Sequence, residues 1–132
     1  MKKCVFGPAE GITGELHGGV GTFRILIDKE IAGAKHFSLL VNVTNPGVDG
    51  DAHSHEVEHA FYILEGRGLI EKGGRTYQIG PGTAVYVPAK ISHKLSCSGR
   101  RHLRYVVVYA PAGPEQELKK RGRNAFQKRT NL

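Results

Sequence analysis

At 132 residues the chain has room for one domain with its own hydrophobic core and too little for several. Its net charge of +7 invites a nucleic-acid reading, but residues 114–132 supply +4 of it, with Phe126 as their one aromatic, so a solvated basic tail and no nucleic-acid partner are expected. No apolar run approaches the roughly 18 residues of a membrane span, and "MKKC" leads towards glycine, proline and glutamate, so no membrane partner and a cytoplasmic location are expected.

Glycine and proline are spread along the chain, and apolar residues gather in short runs between them, the pattern of many strands joined by tight turns. The first strands are expected at 23–28, "FRILID", and 36–44, "HFSLLVNVT". In the second, Phe37, Leu39, Val41 and Val43 alternate with more polar neighbours and are expected on one buried face. "NPGVDGD" at 45–51 breaks that strand, and "HAFYILE" at 59–65 begins another, which Gly66 and Gly68 end or bend. "LIEKGGRTYQI" at 69–79 reads as a hairpin, with Gly73 and Gly74 suited to a two-residue type I′ turn. "GPGTAVYVPAKISHKLSC" at 80–97 reads as turn, strand, turn, strand, and "HLRYVVVYAP" at 102–111 as a late, largely buried strand. Beyond it, "GPEQELKKRG" has Pro114 in a first helical turn, Glu early, Lys and Arg late, and Gly122 as a stop. A short helix leaning on the barrel through Leu118 is expected there.

The chemistry is concentrated in "GDAHSHEVEHAFYILEG", residues 50–66. In extended chain His53 and His55 point to one face, and a bend of three residues can bring His59 round to meet them. Converging neutral imidazoles suit zinc, iron, copper or nickel. The same three residues could also be surface histidines crowded near a turn, and a fourth residue has to decide.

That residue is His93. Gly47, His53, His55, His59 and Gly66, with five, one, three and six residues between them, resemble the first motif of the cupin family, in which glutamate usually stands at the position of His59. Gly82, Pro88 and His93 are similar to the second motif, and fifteen residues, 67–81, separate the two. The resemblance implies an all-β fold, a double-stranded β-helix or jelly-roll barrel over residues 1–113 with its motifs at 47–66 and 82–97. A basic C-terminal helix or tail then occupies 114–132. It also implies one divalent transition metal ion per chain at His53, His55, His59 and His93, with iron or manganese favoured and nickel, copper or zinc possible. Besides His59, the chain departs from the family pattern with Lys90 in place of a glycine and Cys97 in place of an asparagine. Some cupins with "HxH", "EH" and a later histidine are four-histidine metal proteins, and "HSHEVEHAFYILEG" resembles those. Glu58 is a rival ligand, but it has the opposite strand parity to His59, which Phe61 and Ile63 share.

Four neutral imidazoles leave a divalent ion at +2, where three and a carboxylate would leave +1, so an anionic or polarised oxygen of a small organic molecule is the expected ligand. Four protein ligands on a six-coordinate ion leave two adjacent positions. The expected function is a metal-dependent enzyme acting on a small oxygen-rich carboxylate, enol or diketone, by dioxygenase-type oxidation first and by non-redox isomerase, cyclase or lyase chemistry second. A non-catalytic ligand-binding or sensing module is the third reading, and a homodimer is expected by analogy. No general base is assigned. Cys97, Tyr62, Tyr86 and Tyr105 are read as packing residues, Arg24 and Arg104 as outward-facing, and His17, His36 and His102 as surface residues. Cys4 and Cys97 are expected to be thiols.

Overall fold

The computed structural model describes residues 3–16, 19–48 and 51–121. Its strands follow the apolar runs: β1 (Ile12–Leu16), β2 (Gly21–Ile27), β3 (Ser38–Thr44), β4 (Glu58–Glu65), β5 (Gly68–Lys72), β6 (Arg75–Ile79), β7 (Ala84–Val87), β8 (His93–Cys97) and β9 (Leu103–Ala110). All ladders are antiparallel, in a six-stranded sheet of order β1-β2-β3-β9-β4-β7 and a three-stranded sheet of order β6-β5-β8. One buried cluster draws Leu40, Phe61 and Val107 from the first sheet and Ile70 and Ile79 from the second, so the two layers share a core as in a jelly roll. Ile25, Leu40, Ile63 and Leu103 are wholly buried, each worth about 1.5–3 kcal/mol of transfer free energy.

The expected hairpin is present: Gly73 and Gly74, at φ of 56° and 81°, join β5 to β6. Gly66 ends β4 at φ 88°, where a Cβ would stand 2.4 Å from the His102 carbonyl oxygen.

Two expectations are corrected. The buried face of β3 is Ser38, Leu40, Asn42 and Thr44; Leu39, Val41 and Val43 face outward, and Phe37 is 40% exposed. β1 is an additional strand that precedes the first one expected, pairing only with β2 at the sheet edge.

The basic tail is also less solvated than expected. Residues 114–121 form a helix, and Leu118 does pack against the core. The helix is held as firmly by charge. Lys119 is buried and its Nζ sits 2.5 Å from Asp28 and 2.6 Å from Glu30. Buried Glu115 accepts hydrogen bonds from the Ser38 hydroxyl and the Gly113 amide, both at 2.7 Å. Burial alone would raise the Asp28 pKa, but Lys119, the Ile31 amide and Gln116 outweigh it and hold the carboxylate ionised. The remainder of the tail, including Gly122, lies outside the described residues, as does His17. Among the described residues no helix is long and apolar enough to cross a membrane.

Candidate metal centre

Strand alternation on β4 turns His59, Phe61 and Ile63 inward and leaves Glu58 outside, where its carboxylate accepts a hydrogen bond from Tyr86 at 2.6 Å. His93 opens β8 in the opposite sheet. The segment carrying His53 and His55 is pinned to it by an isolated bridge: the His53 amide donates to the His93 carbonyl at 3.0 Å, and the His93 amide to the His53 carbonyl at 2.8 Å. The Lys90 amide donates to the His55 carbonyl at 2.7 Å. Lys90 is held at φ 68°, the left-handed conformation that explains why the family pattern has glycine there.

These ties bring all four imidazoles together. Ring centroids stand 4.5 Å apart for His53 and His93, 5.0 Å for His53 and His55, 4.7 Å for His59 and His93, and 5.2 Å for His55 and His59. His53, His55 and His93 each offer a nitrogen within 4.8 Å of the other two. Two nitrogens bound to one ion at about 2.1 Å stand at most about 4.2 Å apart, so the triad needs only a small contraction. His59 sits against this triad as the fourth ring.

The hydrogen bonds fix which nitrogens face inward. His53 Nδ1 lies 3.2 Å from the Asp51 carbonyl oxygen, and His93 Nδ1 lies 3.0 Å from that of Ile91. An Nδ1–H donated to a carbonyl leaves the Nε2 lone pair available. His93 Nε2 and both ring nitrogens of His59 are buried and meet no hydrogen-bond partner. Burial, aided by the neighbouring His93, His55 and His53, pushes the His59 pKa down to about 3. Burial also lowers that of His93, against the Ile91 hydrogen bond and with help from His53. Neutral imidazoles with orphaned, inward nitrogens are what a transition-metal ion requires, and the donor set fits one.

The cluster lines a cavity of about 260 Å³. Tyr109 is the main residue that sequence reasoning passed over: its ring is 5.3 Å from His59 and 5.6 Å from His55, and burial, with Tyr105 and Glu115 nearby, holds its hydroxyl protonated. It shares the inward parity of Leu103, Tyr105 and Val107 on β9, which was the available signal. Asn42 and Thr44 on the inverted face of β3 and Pro114, Glu117 and Leu118 of the terminal helix also line the space. Burial raises the Tyr105 pKa to about 12, and its hydroxyl is 3.0 Å from Thr44 Oγ1. Tyr62 and Tyr86 are exposed, as are His36 and His102. Cys97 is partly buried, with its thiol directed at the Arg101 carbonyl. Arg24 and Arg104 lie outside the cup, Arg24 donating to the Glu10 carbonyl and Arg104 paired with Glu65 at 3.5 Å.

A cupin domain model matches residues 41–109, more than half of the chain and inclusive of all four histidines. The chain belongs to the cupin family. Among solved structures, this cupin is similar to the polyketide cyclase RemF from Streptomyces resistomycificus, at 29% identity and a TM-score of 0.72, over 85% of this chain and 81% of that one. The likeness to KdgF from a Halomonas species, with a TM-score of 0.74 at 16% identity over 87% and 99% of the two chains, shows the shared fold. In sequence, this cupin is 29% identical to the dimethylsulfoniopropionate lyase DddW of Ruegeria pomeroyi over 108 residues, 82% of this chain and 70% of the relative.

Proposed function

We propose that this cupin is a metal-dependent enzyme in which His53, His55, His59 and His93 hold one divalent transition metal ion, acting on a small oxygen-rich organic molecule by non-redox cyclisation, isomerisation or elimination. The observation that carries this reading is the convergence of four imidazoles from two separated segments, with the inward nitrogens of His59 and His93 buried and unpartnered. A bound divalent ion would act as a Lewis acid towards a carbonyl or enol oxygen. His53 and His93 keep the required tautomer through the Asp51 and Ile91 carbonyls. Tyr109, held protonated by burial and with its ring packed on His55 and His59, would offer a hydrogen bond rather than a proton to an oxygen held there.

Non-redox chemistry takes precedence here over the oxidation expected from sequence because the proteins this chain is similar to at 29% identity include a polyketide cyclase and a lyase. Elemental analysis of the purified protein tests the metal: close to one ion per chain is expected, with occupancy falling in His59→Ala and unchanged in Glu58→Ala. Turnover of enolisable diketones and polyketide-like phenols is then followed with and without oxygen. Turnover that persists without oxygen supports the proposal, and stoichiometric oxygen uptake replaces it with the oxygenase.

A further inference from the structure

Three of the four buried inward positions of β3 are polar, Ser38, Asn42 and Thr44. Two have partners within the protein: Ser38 donates to Glu115, and Thr44 lies against the Tyr105 hydroxyl. Asn42 stands opposite Tyr105 in the β3–β9 register, with its amide in reach of the same hydroxyl. Its Oδ1, however, meets no partner, although the residue is only 3% exposed. Asn42, Thr44 and Tyr105 all line the cavity that the histidines line. Buried side-chain oxygens are almost always satisfied, so one without a partner, on a residue that lines a cavity, points to a donor supplied from outside the chain.

The geometry sets how far that donor lies from the histidines. On β9, Tyr105 pairs with Asn42 and Tyr109 pairs with His59, and the Phe61 ring bridges the two ends, 5.5 Å from that of Tyr105 and 5.0 Å from that of His59. A cavity of about 260 Å³ joins them. One benzene fills an apolar cavity of about 150 Å³, so the space suits about two rings. Phe61 gives its wall an apolar character between the two polar ends, and Leu16 and Val20 line it at the level of Thr44.

We infer that Asn42 is a specificity-determining residue whose Oδ1 accepts a hydrogen bond from a hydroxyl group at the end of the substrate remote from the histidines. The inference rests on the proposed metal function, because it takes the histidine end as the place that receives the substrate's chelating oxygens. It narrows the substrate to an elongated molecule of one or two rings, chelating at one pole and carrying a hydroxyl at the other.

The full chain loaded with zinc is titrated calorimetrically, without oxygen, with three probes: a catechol bearing a phenyl group para to one hydroxyl, the same compound with a terminal hydroxyl, and the same with a terminal methoxy group. The terminal hydroxyl is expected to tighten binding about fivefold, and the methoxy group to give no gain. Asn42→Leu is expected to erase the preference while leaving zinc stoichiometry and affinity for the unsubstituted probe unchanged. Because the comparison among probes is made first on the native protein, it holds even if that variant is unstable. Equal affinities for the three probes, with zinc bound, overturn the role of Asn42 alone, and a preference for methoxy over hydroxyl overturns its assignment as an acceptor. A chain that takes up no zinc overturns the metal reading and this inference with it.

Discussion

His59 carries two buried ring nitrogens without partners, an arrangement that costs stability in the metal-free protein. Its folded pKa, near 3, lies below the value near 6.5 of an unfolded histidine, and His93 is shifted in the same direction. The unfolded chain therefore takes up protons first. The stability associated with these two groups is fully present above about pH 6.5 and is lost progressively as the pH falls towards 3. Thermal melts of metal-free protein between pH 8 and 4 should show this slope, and His59→Leu should flatten it. The same variant should melt higher than the native metal-free chain while losing metal occupancy, since an apolar side chain removes the two orphaned nitrogens. A second strained position is Lys90 at φ 68°. Lys90→Gly relieves a left-handed backbone that costs about 1 kcal/mol, and a rise of about 3 °C in Tm is expected from differential scanning calorimetry. The approach of His53, His55 and His59 was legible from spacing and strand parity, whereas His93 was legible only through the resemblance to the second cupin motif. Asn42 was not legible, because nothing local distinguishes an asparagine that faces a cavity from one that faces water.

The helix over 114–121 shows how much an element can depend on groups that composition alone assigns to the surface. Lys119 lies beside Asp28, which is wholly buried, and beside Glu30, which is half exposed. Lys119→Met leaves the Asp28 carboxylate buried with, among the described residues, only Ile31 and Gln116 as hydrogen-bond partners, a loss of about 3 kcal/mol. A matching fall in the denaturant midpoint is expected, and a double-mutant cycle with Asp28→Asn should recover much of it. Within β3 the sequence pattern led to the wrong face for a physical reason. Leu39, Val41 and Val43 are the more apolar set, yet the inner set serves the cavity and the helix through Asn42, Thr44 and Ser38. Binary pattern reports burial in a core and fails where the buried space has to be polar. The outlying strand β1 was missed because "ITGEL" combines a glycine with a glutamate and carries only two large apolar residues, Ile12 and Leu16. The Gly73–Gly74 hairpin and the alternation of β4 and β9 were legible because turn chemistry and strand parity agree there.

The two sheets meet at the histidines: His59 belongs to the larger sheet and His93 to the smaller, so one ion would clamp the layers together. A ligand that binds only the folded chain stabilises it by about 2.7 kcal/mol at a hundredfold excess over its Kd, equivalent to about 10 °C for a domain of this size. Zinc added to the chelator-treated protein should raise Tm by that amount, and His93→Ala should abolish the rise. The reciprocal backbone bridge between His53 and His93 gives this clamp a kinetic signature. Both amide protons are locked between two residues that themselves offer ligand atoms, so deuterium can replace them only when the segment lifts away and takes its imidazoles with it. Their exchange rate, read residue by residue in a magnetic resonance experiment, is therefore a clock for the breathing of the cup's rim, and it sets an upper bound on how fast a captured ion can escape by that route.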